Sequence, residues 1–185
     1  SDRELVNFNI GSADVGDHTL EVLITNSQGN SYTRSTVFTW PPAPLENDLI
    51  TSPTMITTLG NTYSMNTAGA TVSAGDPINV CNSEDIGSVW YLFTAPATGI
   101  YNINAYGSDY DPNISVLRRV DASNRTPLVC GETYTDWYEE AQLAFNATAG
   151  YKYLIGFSDQ VGGGMLSFKL NKLSCPVGHV CGTAV

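Results

Sequence analysis

In segment after segment of this chain, apolar residues recur at every second position, and no stretch of ten or more residues repeats them at helical spacing. Leu20, Val22 and Ile24 share one face of such a segment. Tyr101, Ile103 and Ala105 share another, with Asn102 and Asn104 opposite. Leu143, Phe145 and Ala147, then Tyr153, Ile155 and Phe157, then Leu166, Phe168 and Leu170 repeat the pattern. Turn chemistry stands between them at Ser27-Gln28-Gly29-Asn30, Ala97-Thr98-Gly99, Ala149-Gly150 and Gly162-Gly163-Gly164, the last read as a hairpin turn. Only 14% of residues are charged. Ser, Thr and Asn make up the polar surface instead, which suits strands and turns better than helices. Many short strands at this spacing predict an all-β protein built as a β-sandwich.

Trp40-Pro41-Pro42-Ala43-Pro44 interrupts the pattern. Three prolines remove ladder donors, so residues 41–46 read as a stiff, extended linker. Ahead of it, residues 1–40 carry three strand signals, at Leu5 to Ile10, His18 to Thr25 and Ser31 to Trp40. Three strands alone leave a face and an edge uncovered. With Ser1 in place of an initiator Met, the chain reads as processed or as a fragment. Residues 47–172 form the main domain, and 173–185 a cysteine-bearing tail.

A net charge of −10 argues against nucleic acid and anionic membranes as partners, and no basic cluster larger than Arg118-Arg119 offsets it. No apolar run is long enough to span a membrane. The four cysteines, Cys81, Cys130, Cys175 and Cys181, suit an oxidising compartment. Cys175 and Cys181 close a short loop easily, which leaves Cys81 for Cys130, a bond contributing roughly 4 kcal/mol in the loop-entropy picture. Four buried free thiols are the competing reading.

No catalytic motif is present, and the two histidines, His18 and His179, lack motif partners. Asp109, Asp111 and Asn113 place oxygen ligands at alternating positions, and Glu132 opens a second acidic stretch that could approach them. This is calcium chemistry, and Ca2+ is the one cofactor the sequence admits. The competing reading is a solvated loop whose Asp and Asn side chains cap its own turns. Tyr106, Tyr110, Tyr134, Trp137 and Tyr138 fall in or near loops. They read either as rings that stack on a sugar or protein ligand, Tyr110, Tyr134, Trp137 and Tyr138 foremost, or as plugs for the ends of the sandwich. Sequons stand at Asn113, Asn124 and Asn146.

Two resemblances add to this reading. Val15-Gly16-Asp17-His18-Thr19-Leu20-Glu21-Val22, followed by Thr25-Asn26-Ser27-Gln28-Gly29-Asn30, resembles the last three strands of a bacterial immunoglobulin-like domain. From Asn47-Asp48 onward the chain resembles the bacterial pre-peptidase C-terminal domain. The carrying segments are Asn66-Thr67-Ala68-Gly69-Ala70-Thr71, Ser88-Val89-Trp90-Tyr91-Leu92-Phe93-Thr94-Ala95-Pro96, Gly107-Ser108-Asp109-Tyr110-Asp111, Val129-Cys130, and Phe145 to Ile155. The resemblance implies a jelly-roll-like β-sandwich preceded by a partial immunoglobulin-like β segment. It also implies a non-catalytic extracellular or cell-surface module of a larger protein, serving adhesion, matrix or glycan binding, or secretion of an attached peptidase-type domain. Expected partners are other domains of the same parent, neighbouring subunits, polysaccharide or matrix protein. The alternative is a structural subunit of an extracellular filament or surface layer, assembled by strand contacts between subunits.

Overall fold

The structure of the chain, a computed structural model, describes residues 16–40, 45–73, 75–77, 85–131, 141–160 and 162–174. Ser1–Ala43 and Pro44–Val185 are two compact units. The strand expected over Leu5 to Ile10 lies outside the described residues.

In the first unit, β1 (Gly16–Thr25) and β2 (Ser31–Trp40) form an antiparallel hairpin paired from Gly16–Trp40 to Thr25–Ser31. The register places Leu20, Val22 and Ile24 opposite Thr36, Arg34 and Tyr32, on one face. Val22, Ile24 and Tyr32 are exposed on that face, as are Leu23 and Val37 on the other.

The second unit is a two-sheet sandwich. Its strands are β3 (Thr54–Ile56), β4 (Thr62–Asn66), β5 (Gly87–Thr94), β6 (Gly99–Asn104), β7 (Asn113–Arg119), β8 (Arg125–Gly131), β9 (Gln142–Ala147), β10 (Lys152–Asp159) and β11 (Met165–Lys172). One sheet runs β3-β5-β10-β7-β8 and the other β4-β11-β6-β9. All pairings are antiparallel except the short parallel contact of β3 with β5. From β3 onward the chain passes from one sheet to the other at each step but one, the β7–β8 hairpin. This is the jelly-roll-like sandwich that the alternation and the resemblance imply.

Inward-facing residues of both sheets meet in one core, which includes Val89, Tyr91, Phe93, Tyr101, Ile103, Phe145, Tyr153, Ile155, Phe157, Leu166, Phe168 and Leu170. Rings hold the layers together. Tyr91 meets Phe168 edge-on at 4.7 Å, Phe157 lies 4.5 Å from Phe168, and Phe93 lies 5.0 Å from Tyr101. Each such pair contributes about 0.5–1.5 kcal/mol beyond the area it buries.

The five-stranded sheet is buried on its outer face too. Trp90, Leu92, Leu117 and Leu154 form a second, smaller core there with Ile50. Asn47 anchors this cover: its carbonyl accepts the Trp90 N–H at 2.9 Å, and its Nδ2 donates to the Trp90 carbonyl at 3.2 Å. Asp48 accepts the Thr71 N–H at 2.6 Å and the Thr71 hydroxyl at 2.7 Å. Strands β5 and β10 are therefore buried on both faces, where alternation alone predicted one buried face.

The Gly162-Gly163-Gly164 turn is a correction to the sequence reading. It joins β10 to β11, strands of different sheets, so it is a crossover and not a hairpin. Glycine is required for a different reason: a Cβ on Gly163 would stand 2.7 Å from the Thr67 backbone. Asp159 Oδ1 accepts the Gly162 and Gly163 N–H groups at 2.6 and 2.8 Å, bending the tract inward.

Beside the outer core, the Trp90 Nε1–H donates to Ser88 Oγ, which donates to Asp76 Oδ2 at 3.0 Å. Asp76 is buried, and its Oδ1 has no hydrogen-bond partner among the described residues. Burial raises the Asp76 carboxyl above its ordinary 3.8, outweighing hydrogen bonds from the Ser73 backbone and Ser88 that lower it. A carboxyl raised in the folded state costs stability once ionised. That cost is absent below the unfolded value and sets in as pH climbs through the folded one. Urea midpoints of wild type and Asp76→Asn, measured from about pH 3 to about pH 7, should therefore show wild type losing ground to the variant as pH rises. A gap that is constant or narrows with pH refutes this account of Asp76.

Candidate functional site

Among the described residues, no segment covers the outer face of the four-stranded sheet as Asn47 to Ile50 cover the other. Alternation that sends Leu166, Phe168 and Leu170 inward sends Ser167, Lys169 and Asn171 of β11 outward. In the same way, Tyr101 and Ile103 go inward from β6, and Asn102 and Asn104 go outward. Registers set these side chains in rows. Lys169 stands opposite Asn104 on β6 and Thr62 on β4, and Asn171 stands opposite Asn102. Together with Tyr106 and Phe168 they line a groove of about 460 Å³.

Tyr106 is 71% exposed, the most exposed of the large apolar side chains among the described residues. Its position is fixed by the turn that carries it. The Tyr106 N–H donates to Asn104 Oδ1 at 2.8 Å, and the Ser108 N–H closes the turn onto the Ala105 carbonyl at 3.2 Å. Gly107, at the third position of that turn, has φ +102°. Ser108 Oγ accepts the Ser167 N–H at 3.0 Å and donates to the Ser167 carbonyl at 3.3 Å, fastening the turn to β11. Because Asn104 spends its oxygen on Tyr106, its amide hydrogens are left as donors. The groove thus presents a ring, three amides, two hydroxyls and one ammonium. Amide and hydroxyl groups hold vicinal hydroxyls, and a ring stacks on an apolar face.

Of the residues singled out from sequence, Tyr106 lies in the groove, while Tyr110 and the described calcium candidates fall elsewhere. Tyr110 is half-buried against the main core, and its hydroxyl lies 3.1 Å from that of Thr67. Burial pushes its phenol up to about 12. It occupies the place of a plug at the sandwich end. Tyr134, Trp137 and Tyr138 lie outside the described residues. Of the calcium candidates, Asp109 Oδ1 accepts the Met165 N–H at 2.6 Å, while the Asn113 amide is buried and donates to Asp85 Oδ1 at 2.8 Å. Asp111 is exposed, and Glu132 lies outside the described residues. Among the described residues, no three His, Cys, Asp or Glu side chains come together as a metal site. The Asn113 sequon is closed to glycosylation by the same burial. Cys130, on β8, is engaged in a disulfide. Cys81, Cys175 and Cys181 lie outside the described residues.

Sequence reading missed Thr62, Ser167, Lys169 and Asn171, and noted Asn102 and Asn104 only as the wet face of a strand. The signal was the polar half of the alternation, Ser167-x-Lys169-x-Asn171, but sequence alone could not say which strands lie side by side.

No described protein family matches the chain, and neither does any curated protein. Among solved structures, it is similar to the pre-peptidase C-terminal domain of a collagenase from Bacillus anthracis, at 17% identity and a TM-score of 0.41, over 64% of this chain and 94% of that one. It is also similar to a family 35 carbohydrate binding module from an environmental isolate, at 10% identity and a TM-score of 0.31, over 62% and 99% of the two chains. A third is the family 35 carbohydrate binding module from Clostridium thermocellum, at 14% identity and a TM-score of 0.30, over 61% and 92%. The first has the name that the motifs from Asn47 onward imply. The sandwich itself stands on the strand registers above.

Gly107 is what lets the turn lift Tyr106 into solvent. A Cβ there would have room, its nearest neighbour being Ser167 Oγ at 3.7 Å, so Gly107→Ala isolates the backbone cost. The variant should lose about 1–2 kcal/mol in urea unfolding with an unchanged far-UV spectrum.

Proposed function

We propose that this chain is a non-catalytic, extracellular β-sandwich module of a larger secreted or cell-surface protein, and that it binds polysaccharide in the groove on its four-stranded sheet. One observation carries the reading: an exposed, turn-fixed Tyr106 beside Asn102, Asn104 and Asn171 on adjacent strands. Among the described residues, the lining consists of a ring, amides, hydroxyls and an ammonium, groups suited to holding a sugar chain. The disulfide at Cys130 supports an oxidising, extracellular setting, and the pairing proposed for it is Cys81. Among the described residues no helix is long and apolar enough to cross a membrane.

The test is retention of the whole chain on a panel of insoluble and gel-embedded polysaccharides, with Tyr106→Ala and an Asn102→Ala/Asn104→Ala double variant alongside. Retardation by at least one polysaccharide should fall about tenfold in each variant, since one stacked ring or two amide contacts contribute about 1–3 kcal/mol. Retention that both variants keep would remove the groove from the account.

A second reading, assembly of copies of the chain into a filament or layer, is favoured by the hairpin. Val22, Ile24 and Tyr32 stand 44%, 52% and 61% exposed on one of its faces. A two-stranded hairpin with open apolar faces gains stability from a covering partner. Under this reading, light scattering shows concentration-dependent growth that Ile24→Asp abolishes. A 19.9 kDa monomer at every concentration excludes it.

A further inference from the structure

Charge is distributed unevenly over this molecule. Acids outnumber bases by 18 to 8, yet among the described residues the groove is lined without a single acid and contains a cation, Lys169. Lys169 is exposed and sits in the middle of the field, with Ser167 and Asn171 two positions away on its own strand and Thr62 and Asn104 directly opposite on the flanking strands. Directly opposed residues on one sheet face have Cβ atoms about 4.5–5.5 Å apart. The ammonium is therefore within reach of whatever Thr62 and Asn104 hold.

The described arginines of this unit are occupied, and Lys152 stands exposed at the start of β10, on the other sheet. The Arg118 guanidinium lies over the Tyr151 ring at 4.2 Å. Arg119 Nε donates to the Asp121 carbonyl, and Arg125 donates to the Gly75 and Ala122 carbonyls. Lys172 packs its side chain where a Cβ on Gly99 would go. Lys169 makes no ion pair or hydrogen bond among the described residues. An ammonium with no described carboxylate paired to it, in a chain rich in them, is available for an anion supplied by the ligand.

We propose, resting on the polysaccharide reading above, that the groove selects acidic saccharides, with Lys169 pairing the carboxylate or sulfate of an anionic sugar ring while the amides hold its hydroxyls and Tyr106 its apolar face. The net charge of the chain works against such a ligand at long range. That repulsion is screened beyond about 8 Å at physiological ionic strength, while a contact pair in the groove keeps its attraction. The charge-assisted bond is also stronger than the neutral ones it accompanies.

The test uses the full chain and matched ligands. Oligogalacturonate is compared with its carboxyl-reduced form, and a sulfated galactan with its desulfated form, by calorimetry for wild type, Lys169→Gln and Tyr106→Ala. Wild type should bind at least one acidic ligand about fivefold or more tighter than its neutral match, with affinity falling as NaCl rises. Lys169→Gln should abolish that preference, so that the acidic and neutral members of each pair bind it with equal affinity. Tyr106→Ala should weaken both members of the pair. Preference for the uronate alone or the sulfate alone identifies which anion the groove takes. Equal affinity for acidic and neutral forms, with Tyr106→Ala still weakening both, overturns the charge selection and leaves the polysaccharide reading standing. Binding of no ligand, or binding indifferent to Tyr106→Ala, overturns both.

Discussion

The contact of Tyr91 and Phe157 on one sheet with Phe168 on the other is the joint from which the rest of the sandwich follows. Rings 4.5–5.8 Å apart leave no space for water between the layers. Every residue two positions from one of these rings is then committed inward, and every residue next to one is committed outward. On β11 this sends Leu166 and Leu170 into the core and Ser167 and Lys169 to the surface. The polar groove is thus a consequence of how the core is filled, because a strand cannot place Phe168 inside without placing its neighbours outside.

Both sheets have an outer face, and the chain treats the two differently. Over the five-stranded sheet it lays the segment around Asn47, Asp48 and Ile50, held by two hydrogen bonds between Asn47 and the Trp90 backbone. Trp90 and Leu92 are outward-facing yet buried for that reason. The outer face of the four-stranded sheet, with amides, hydroxyls and Lys169 outward, is left uncovered by the described residues. One sequence feature goes with the difference: Val89 to Phe93 and Tyr153 to Ile155 place apolar residues at consecutive positions, beneath the alternation, while β6 and β11 alternate with polar ones. A face that is apolar on both sides must be covered, and a face that is polar outward can work in water.

This contrast also sets how much was legible in advance. The alternating strands β6, β9 and β11 could be read with their inner faces, because period-2 patterning states directly which residues share a side. The run Trp90-Tyr91-Leu92-Phe93 marked a buried strand but not what lies over Trp90. The parallel contact of β3 with β5 spans three residues and left no pattern to find. Gly162-Gly163-Gly164 looked like a hairpin because local turn chemistry reports a reversal and is silent about which sheet receives the next strand. The groove was half-visible: each of Asn102, Asn104, Lys169 and Asn171 could be placed on a wet face, but their meeting depends on β6 and β11, some sixty residues apart, lying side by side. For Tyr110 the sequence left two readings open, a ligand ring or a plug, because a loop position does not report burial; the Thr67 contact sets it at the end of the sandwich.

Ring and amides are held by different means, and the difference bears on what the groove can recognise. Asn102 and Lys169 stand where their strands are paired on both sides, and Asn171 is held by its pairing with Asn102. Tyr106 stands on a turn, but one fastened at Asn104 and, through Ser108, at Ser167. A ligand therefore meets a surface whose spacing is already set, and little backbone ordering is charged against binding. Rigid rows favour ligands whose own groups repeat at a regular spacing along an extended chain. A polysaccharide has that form. A small free metabolite would leave most of an open groove of this size in contact with water.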